Sequence, residues 1–475
     1  MVGVETTRPW TVEPVGALPA WLTITNQTTY TFNVNVVALN PAGAVRTATL
    51  RVRAGSLYQY VMITQLGHDI FGTAMPGTWV GAFWRYYQQA ERLIRITNAN
   101  NNGWTALASE DWIKLDMLDS NDPGIFTNPA SVSGLANDIA HRLPTPVGMQ
   151  GSTVSAESGD INFRIGLRSS LLSADSQPRY GMVVLMHNNR TETHIIWIRQ
   201  GEAADYVMRP DDLMDNGLPR GNMARRWTTH NLTALPEQLN VTSLPPRGGR
   251  FAQYPTQTGA FFQWNPTVVA VQRVAWQPDG VLPPNAANWH QNFPGFWNTE
   301  SAIHETCPPG YRRPNDGPTD TWVTNNTLAA IRLSEVRQSL FLNPVLGIGN
   351  FSGANTVFGL YADGFFDRRP RTNHLGTAGG AHPNSTVAAF THNVARQGIV
   401  AFNPRTGASL FFPTSGRRSA GNLRHQGYEA HYSTGTAFGG PGQYWNLNIR
   451  MSSQGLTFRP CERRCGMTVR CVAED

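Results

Sequence analysis

The chain has 475 residues, a length that corresponds to about three domains. Hydrophobic residues make up 40% of it and aromatic residues 10%, enough to build cores, which excludes a globally disordered chain. The formal net charge of +6 comes almost entirely from arginine, since Lys114 is the only lysine, and such a charge is one mark of nucleic-acid binding. Charged residues are only 15% of the chain, however, and no nucleic-acid-binding module is recognised, so we expect no nucleic-acid partner.

Turns and strands dominate the predicted secondary structure. The 45 glycines and 32 prolines, with few helical patterns, favour β-rich domains. No apolar run reaches the roughly 18 residues of a membrane-spanning helix, so no membrane insertion is expected. The start, Met1–Val4, lacks the charged and apolar parts of a signal peptide. The chain is therefore either cytosolic or the mature form of an exported protein.

The first 205 residues are predicted to form two immunoglobulin-like β-sandwich domains, over 1–67 and 68–205. In the first, Ala54–Ser56 predicts a hairpin turn. The run Ile195–Gly201 ends in Gln-Gly and is similar to Tyr60–Gly67, which ends in Gln-Leu-Gly, so an internal repeat is the simplest interpretation. The strand segments predicted in these two domains are Leu18–Ile24, Tyr30–Val36, Ala48–Val52, Tyr58–Thr64, Gly81–Arg85, Arg92–Ile96 and Asn162–Leu167.

Residues 206–245 are polar and rich in proline, aspartate, arginine and asparagine, and we interpret them as a linker with some packed structure. Residues 246–475 form the last predicted domain. Within it, the apolar spacing in Thr327–Leu342 predicts one amphipathic helix that begins at a capping Asn326 or Thr327 and ends before Pro344.

The most informative stretch lies near the end of this domain. Between positions 444 and 451, large apolar residues alternate with polar ones, which predicts a strand with one buried face and one exposed face. The segment Met467–Val472 predicts a second strand close by. The inward set of the first strand is Trp445, Leu447, Ile449 and Met451, and the outward set is Tyr444, Asn446, Asn448 and Arg450.

Three landmarks in this domain occur in a characteristic order. They are Thr306–Pro314, which reads Thr-Cys-Pro-Pro-Gly-Tyr-Arg-Arg-Pro, then the Tyr444-Trp445 strand, and then Val469–Val472. In this order they resemble the bacterial form of the C-type-lectin-like fold, found in Bacteroidales fimbrial tip adhesins and in the variable proteins of diversity-generating retroelements. The first module also resembles surface sandwich modules of gut Bacteroidales. The resemblance implies an α+β C-type-lectin-like domain in a cell-surface adhesin at the tip of a pilus or fimbria.

The resemblance also implies which surface binds the ligand. It places a variable face on the outer side of the late strand and its loops, for a protein or glycan on a host or bacterial surface. Retroelement diversification changes the adenines of asparagine codons. Such changes can produce codons for the outward residues but not for Trp445 or Met451. Strand donation at a sheet edge would join the next pilin subunit. The residues predicted to bind the ligand are Tyr428, His431, Tyr432, Tyr444, Asn446, Asn448, Arg450, Arg459, Arg463 and Arg464.

All four cysteines lie in the last domain, and the sequence does not choose among their three possible connectivities. The resembled family places a bridge at Cys307 and Cys471, while Cys461 and Cys465 are close enough along the chain to pair with each other. Zinc at Cys461-x3-Cys465 is the alternative, but no partner pair of suitable spacing lies nearby. Disulfides indicate an oxidising compartment, so we expect export and an extracellular location.

Other chemistry finds little support in the sequence. The calcium chemistry of animal C-type lectins needs acidic oxygens that Trp445-Asn446-Leu447 does not supply, and Gln277–Asp279 lies too early in the domain. We expect no metal, no cofactor and no catalytic activity. Two alternatives stay open. The first is an oxidase of the formylglycine-generating type, an enzyme class that shares the fold and uses paired cysteines, which Cys461 and Cys465 would mimic. The second is a surface glycan-binding lipoprotein unconnected to pili. The histidines without recognised ligand spacing are His374, His382, His392, His425 and His431.

Overall fold

The architecture is that of a computed structural model of the chain. It describes residues 2–4, 6, 8–36, 46–65, 81–89, 92–96, 101–117, 151–189, 192–212, 220, 222–233, 247–252, 255, 259–262, 305–318, 328–341, 358–362, 396–403, 405–419, 422–425, 429–438, 443–450, 455–462 and 465–474. Within these residues the chain is β-rich, as predicted, and no helix is long and apolar enough to cross a membrane.

The N-terminal strands form two three-stranded sheets, ordered β1-β4-β3 and β2-β5-β6. They share one core, which includes Trp10, Trp21, Phe32 and Leu50. The predicted hairpin turn is confirmed, because Gly55 has a φ of 63° between the paired strands β5 and β6. The strands are β1 (Val2–Gly3), β2 (Thr11–Pro14), β3 (Leu22–Thr25), β4 (Thr31–Val36), β5 (Arg46–Ala54) and β6 (Leu57–Gln65).

Two further sheets follow, ordered β11-β9-β13-β14-β7 and β10-β12-β8. Alternation is clearest in β12, where Ile161, Phe163 and Ile165 are buried in the core. The strands are β7 (Gly81–Trp84), β8 (Arg92–Ile96), β9 (Trp104–Ala108), β10 (Ile113–Met117), β11 (Thr153–Ala156), β12 (Ile161–Leu167), β13 (Arg179–His187) and β14 (Glu192–Gln200).

The Gln-Gly sequence after β14 has a structural explanation. The buried Gln200 amide donates to the carbonyl of Gln88 at 2.8 Å, which anchors the turn after β7. Gly201 has a φ of 110° and donates its N–H to Trp84. A Cβ at this position would lie 2.9 Å from Leu171 and 3.1 Å from the Pro178 backbone, so a larger residue would be strained.

In its described residues, the C-terminal part contains small sheets ordered β15-β16, β17-β26, β18-β19-β20, β21-β22 and β23-β24-β25, with two short helices. Its elements are β15 (Leu232–Thr233), β16 (Arg250–Phe251), β17 (Tyr311–Arg312), α1 (Leu328–Arg332), α2 (Glu335–Leu340), β18 (Phe358–Ala362), β19 (Arg396–Phe402), β20 (Ser409–Pro413), β21 (Arg417–Ser419), β22 (Asn422–Arg424), β23 (Glu429–Phe438), β24 (Gln443–Arg450), β25 (Gly455–Glu462) and β26 (Val472–Ala473). The predicted strand Met467–Val472 is instead a set of isolated bridges at 466–468 followed by β26.

The single helix predicted over Thr327–Leu342 is broken in two at Ser334. This serine has extended backbone angles, and its hydroxyl accepts from the Arg337 N–H as the N-cap of α2. The same hydroxyl donates to Asp316, which also accepts from the Arg337 guanidinium at 2.7 and 2.8 Å. The apolar periodicity correctly predicts a helical region. The helix is not continuous because the side chain of Ser334 bonds to the backbone, and such bonds compete with helical hydrogen bonding.

One hydrophobic core joins the second pair of sheets to the C-terminal part. Ile198 of β14 and Phe412 of β20 belong to the same cluster, and Trp197 stacks on Phe402 at 4.2 Å. The described part of the predicted 206–245 linker is packed as well, since Trp227 is buried and contacts Phe412. Val207 and Trp227 of this segment therefore belong to the main core.

Candidate functional site

The late strand predicted from the alternation is β24, and it forms the centre of the sheet β23-β24-β25. Its apolar face is confirmed: Leu447 and Ile449 are buried in the main core together with Tyr432 and Phe458 of the neighbouring strands. Since successive side chains of a strand point to opposite faces, the polar set lies on the other side of the sheet.

The prediction that this polar face is exposed is wrong for the three residues whose side chains are described. Tyr444, Asn446 and Asn448 are all 0% exposed. The register explains their neighbours, because Asn446 lies opposite Ser433 and Asn448 opposite His431. A second layer covers this face, with a hydrogen bond of 2.7 Å from the Arg313 guanidinium to Ser433.

Tyr444 is buried by sulfur-containing side chains at the other end of the same face. It shares a small cluster with Ala437, Cys461, Cys465 and Met467. Burial is the main cause that raises the pKa of Tyr444 well above its usual value. The phenol is therefore a packed part of the interior, where a large ligand cannot reach it.

A polar cluster occupies the opposite end of this face. Glu429 and His431 lie two residues apart on β23 and so point to the same side of the sheet. His425 follows the end of β22, and its Nδ1 lies 2.8 Å from Oε2 of Glu429. Nε2 of His431 lies 3.1 Å from the same oxygen. Two imidazoles and one carboxylate thus converge, with one possible ligand atom from each residue within 4.8 Å of the others.

The asparagines of β24 fix the ring of His431. Oδ1 of Asn446 lies 3.0 Å from Nδ1 of His431. Nδ2 of Asn448 lies 3.2 Å from Nδ1 and 3.1 Å from Nε2 of the same ring. These two residues were predicted to contact a ligand, and in the structure they orient a buried histidine.

The charge states of the cluster follow from burial and contact. For Glu429, burial acts to raise the pKa, but hydrogen bonds with His425 and His431 outweigh it and the pKa is lowered. Burial lowers the pKa of His431 to about 4, against the hydrogen bond with Glu429, which acts to raise it. Near neutral pH the carboxylate is therefore charged and the His431 ring neutral, the forms in which both groups ligate metal ions.

The backbone of His425 is also unusual. It has a φ of 59°, in the left-handed region that non-glycine residues rarely adopt, and its carbonyl accepts from the Glu429 N–H at 2.8 Å. The side chain is 11% exposed, against 3% for that of His431. His425 therefore forms the solvent side of the cluster.

The cysteines divide into one bridge and one pair of thiols. Cys307 and Cys471 form a disulfide, as the resemblance implied. The disulfide expected between Cys461 and Cys465 is absent: both are buried thiols, with their sulfurs 2.9 Å apart. The hydrogen bond with Cys465 is the main cause that lowers the pKa of Cys461, and the Arg417 guanidinium, 3.2 Å from its sulfur, adds to this.

The motif Thr306–Pro314 contributes buried supports. Arg312 forms an ion pair with the carboxylate of Glu335, which also accepts from Arg225 at 2.8 Å. Arg313 is fully buried, and its backbone N–H donates to Glu305. Both arginines of this motif thus hold the interior together and do not present charge to a partner.

The predicted ligand-binding residues whose side chains the structure describes are all buried, so these form no exposed binding surface. Tyr432 is 2% exposed and its hydroxyl donates to the Pro413 carbonyl, because it lies on the core side of β23. His431 lies in the polar cluster. For Arg450 of β24 and Arg459 of β25 only the backbone is described. The positions outside the described residues are Tyr428, Arg463 and Arg464.

The sequence-based predictions assign no site role to His425 or Glu429. His425 and His431 are grouped there with the scattered histidines, without the carboxylate of Glu429 that lies between them. The signal was the local pattern His425-x3-Glu429-x-His431, three potential metal ligands within seven residues. Its last two members share a strand face by simple alternation, but the approach of His425 depends on its own left-handed backbone, with a φ of 59°.

Comparison with known proteins leaves the chain without a family. No family model and no curated protein matches it. The S-layer protein SbsC, domains 4 and 5, is 9% identical, with 40% of this chain and 70% of that chain covered and a TM-score of 0.15. The mouse clustered protocadherin PcdhgC3 EC1-3 is 9% identical, with 41% and 55% covered and a TM-score of 0.15.

A third similarity is to the endo-fucoidan hydrolase MfFcnA4 of glycoside hydrolase family 107, 14% identical, with 46% of this chain and 26% of that chain covered and a TM-score of 0.14. The chain spans between 24% and 27% of the length of the fucoidan hydrolases that it matches. At such scores none of these similarities supports a conclusion about fold or function.

Proposed function

We propose that this chain is an exported surface protein that binds a protein or glycan ligand through a C-type-lectin-like C-terminal domain, as an adhesin at the tip of a fimbria. The Cys307–Cys471 disulfide supports this most, because disulfides persist in oxidising compartments. It joins residues separated by 164 positions, beside the pairing of β17 with β26, so the start of the Thr306–Pro314 motif lies next to the end of the domain. The sheets before it would be immunoglobulin-like modules that connect it to the fibre.

The ligand-binding surface in this proposal differs from the one expected from the sequence. Because Tyr444, Asn446 and Asn448 are buried, they contribute to the scaffold. Gln443 and Glu462 are exposed and paired across β24 and β25, and they lie at the end of the sheet. We assign the ligand contact to this end. Free variation of the buried residues would break their contacts, so retroelement diversification of these three positions is not part of the proposal.

The full chain should be tested on a glycan array and on immobilised extracellular-matrix proteins, since its core is continuous and an excised domain would expose apolar surface. The double substitution Gln443→Ala/Glu462→Ala is expected to weaken binding. The control Asp111→Ala/Glu157→Ala removes two exposed carboxylates from the second pair of sheets and should leave binding unchanged. Equal binding by both variants would contradict the assigned surface.

The cellular location needs its own experiment. Immunogold labelling of intact cells is expected to mark fibre tips. Labelling spread over the outer surface, with retained glycan binding, would favour the surface glycan-binding lipoprotein. Labelling only after cells are permeabilised would contradict export.

The adjacent thiols Cys461 and Cys465 favour a second candidate function, an oxidase of the formylglycine-generating type. Their sulfurs are 2.9 Å apart, so a small movement would allow oxidation to a disulfide. The two cysteines are only 6% and 3% exposed, which argues against direct access by a peptide substrate. Copper-dependent oxidation of a cysteine peptide, lost in Cys461→Ser, would favour the oxidase, and its absence would leave the binding function.

A further inference from the structure

We propose that His425, Glu429 and His431 bind one divalent transition-metal ion, with Zn²⁺ as the representative ion. The three side chains come from one short segment, in which the Glu429 N–H donates to the His425 carbonyl and the asparagines of β24 contact His431. The site is separate from the thiol pair, and it does not depend on the proposed ligand or on export.

The donor atoms have the right spacing. In a tetrahedral zinc site, bonds of about 2.0–2.2 Å place neighbouring donors about 3.4 Å apart. Here Oε2 of Glu429 lies 2.8 Å from Nδ1 of His425 and 3.1 Å from Nε2 of His431, and the full set lies within 4.8 Å. Both separations from Oε2 are shorter than the required value by about 0.6 Å or less, so small side-chain rotations would admit an ion.

The chemistry of the donors selects the class of ion. Two imidazole nitrogens and one carboxylate oxygen suit zinc and its neighbours among the transition metals. Calcium prefers six to eight oxygen ligands. The cluster has three ligating residues, and only Glu429 among them offers oxygen. Three protein ligands also leave a further coordination position, for water or for an oxygen of a bound molecule.

The surroundings of His431 are a second observation that points to an ion. A ligating histidine usually contacts a polar group through its other nitrogen, which fixes the orientation of the ring. Oδ1 of Asn446 lies 3.0 Å from Nδ1, while Nε2 faces the carboxylate. Both ring nitrogens therefore face an oxygen acceptor as well as the amide nitrogen of Asn448, and a cation between Nε2 and Oε2 would hold the ring and the carboxylate together.

The third ligand provides access. His425 lies at the solvent side of the cluster, with a side chain 11% exposed, while Glu429 and His431 are 2% and 3% exposed. An ion can thus enter past His425 without opening the core. The left-handed backbone of His425, with a φ of 59°, turns its ring back towards Glu429, four residues later.

The test uses the full chain, stripped of metal with a chelator and titrated with ZnCl₂ by calorimetry. We expect one ion per chain at this site and a higher Tm with Zn²⁺. Co²⁺ should give the visible absorption of a four-coordinate N/O site, without the near-ultraviolet band of thiolate ligation. These readouts require no knowledge of the ligand of the protein.

The variants separate the cluster from the thiols. His425→Asn removes one ligand and keeps a residue that tolerates a positive φ, so it should fold and lose both the Zn²⁺ binding and the rise in Tm. Glu429→Gln should behave likewise, while Glu157→Gln, at an exposed carboxylate away from the cluster, should bind Zn²⁺ as the unchanged protein does. Cys461→Ser/Cys465→Ser should also keep the site.

Two outcomes would overturn the proposal. In the first, His425→Asn binds Zn²⁺ with the stoichiometry and affinity of the unchanged protein, and only the double cysteine variant loses it. In the second, the metal-free protein takes up neither Zn²⁺ nor Co²⁺ and its Tm does not change, which would make the cluster a purely hydrogen-bonded group.

Discussion

Oδ1 of Asn446 lies 3.0 Å from Nδ1 of His431, and both residues are buried. The sequence had placed the two side chains together on a solvent-facing surface. The shared face is correct, because Ser433 and Asn446 are paired in register and His431 follows the same alternation. The predicted exposure to solvent is wrong, so these residues stabilise the domain and orient a histidine.

Asn446→Ala is expected to lower the free energy of unfolding by about 1–3 kcal/mol, because it removes the acceptor that faces a buried ring nitrogen. Urea unfolding followed by tryptophan fluorescence measures the change. Gln443→Ala, at an exposed position of the same strand, should change it by no more than about 0.5 kcal/mol. Similar small effects for both variants would mean that Asn446 is exposed after all.

Removal of the long-range bridge should be the most damaging of the cysteine substitutions. The Cys307–Cys471 disulfide closes a sequence separation of 164, so Cys307→Ser/Cys471→Ser is expected to cost about 5 kcal/mol on the chain-entropy estimate. Calorimetry without reductant measures the loss in Tm. The double variant Cys461→Ser/Cys465→Ser is the control and should lose far less, since those two sulfurs are not bonded. An equal loss would argue against this assignment of the bridge.

The two free thiols should differ in reactivity. The hydrogen bond between Cys461 and Cys465, followed by the influence of Arg417, lowers the pKa of Cys461, while the same contact raises the pKa of Cys465. Iodoacetamide near neutral pH should therefore modify Cys461 first, as peptide mass mapping would reveal. Arg417→Gln should slow that reaction, and Arg424→Gln, on the paired strand, should not. Faster modification of Cys465 would show that the acidities are reversed.

Stability should fall as the solution is acidified below pH 6.5, in part because of His230. Burial lowers the pKa of His230 well below its usual 6.5, and the cationic Arg470, Arg85 and Arg199 add to this. A histidine with a lowered folded pKa binds its proton more readily when the chain is unfolded. The free energy of unfolding then falls by up to about 1.4 kcal/mol for each pH unit below 6.5, until the folded pKa is reached.

His230→Gln removes this titration and should flatten the pH dependence in that window. The measurement is urea unfolding at several pH values between 7.5 and 4.5. The burial of His431 acts in the same direction, so a residual slope is expected in the variant. An unchanged slope would mean that His230 is protonated in the folded protein.

Much of the local structure was predictable. The alternation of β24 gave its strand and its apolar face, and the turn at Gly55 followed from the residue type. The helix was located but its break was not, because Ser334 is an ordinary helix residue until Asp316, from another part of the chain, accepts its hydroxyl.

The candidate site was predictable only in part. The pattern His425-x3-Glu429-x-His431 is visible in the sequence, yet the convergence of its atoms depends on a left-handed residue at the end of β22. Nothing in the pattern itself says whether these side chains point into one space.

The sequence by itself determined which residues share a strand face, because successive side chains along a strand point to opposite faces of the sheet. Only the tertiary structure decided that the polar face of β24 is buried. Burial depends on what packs above a face, and here that includes Arg313, which donates to Ser433 from 120 residues away. Contacts between distant segments decide exposure, and local periodicity holds no information about them.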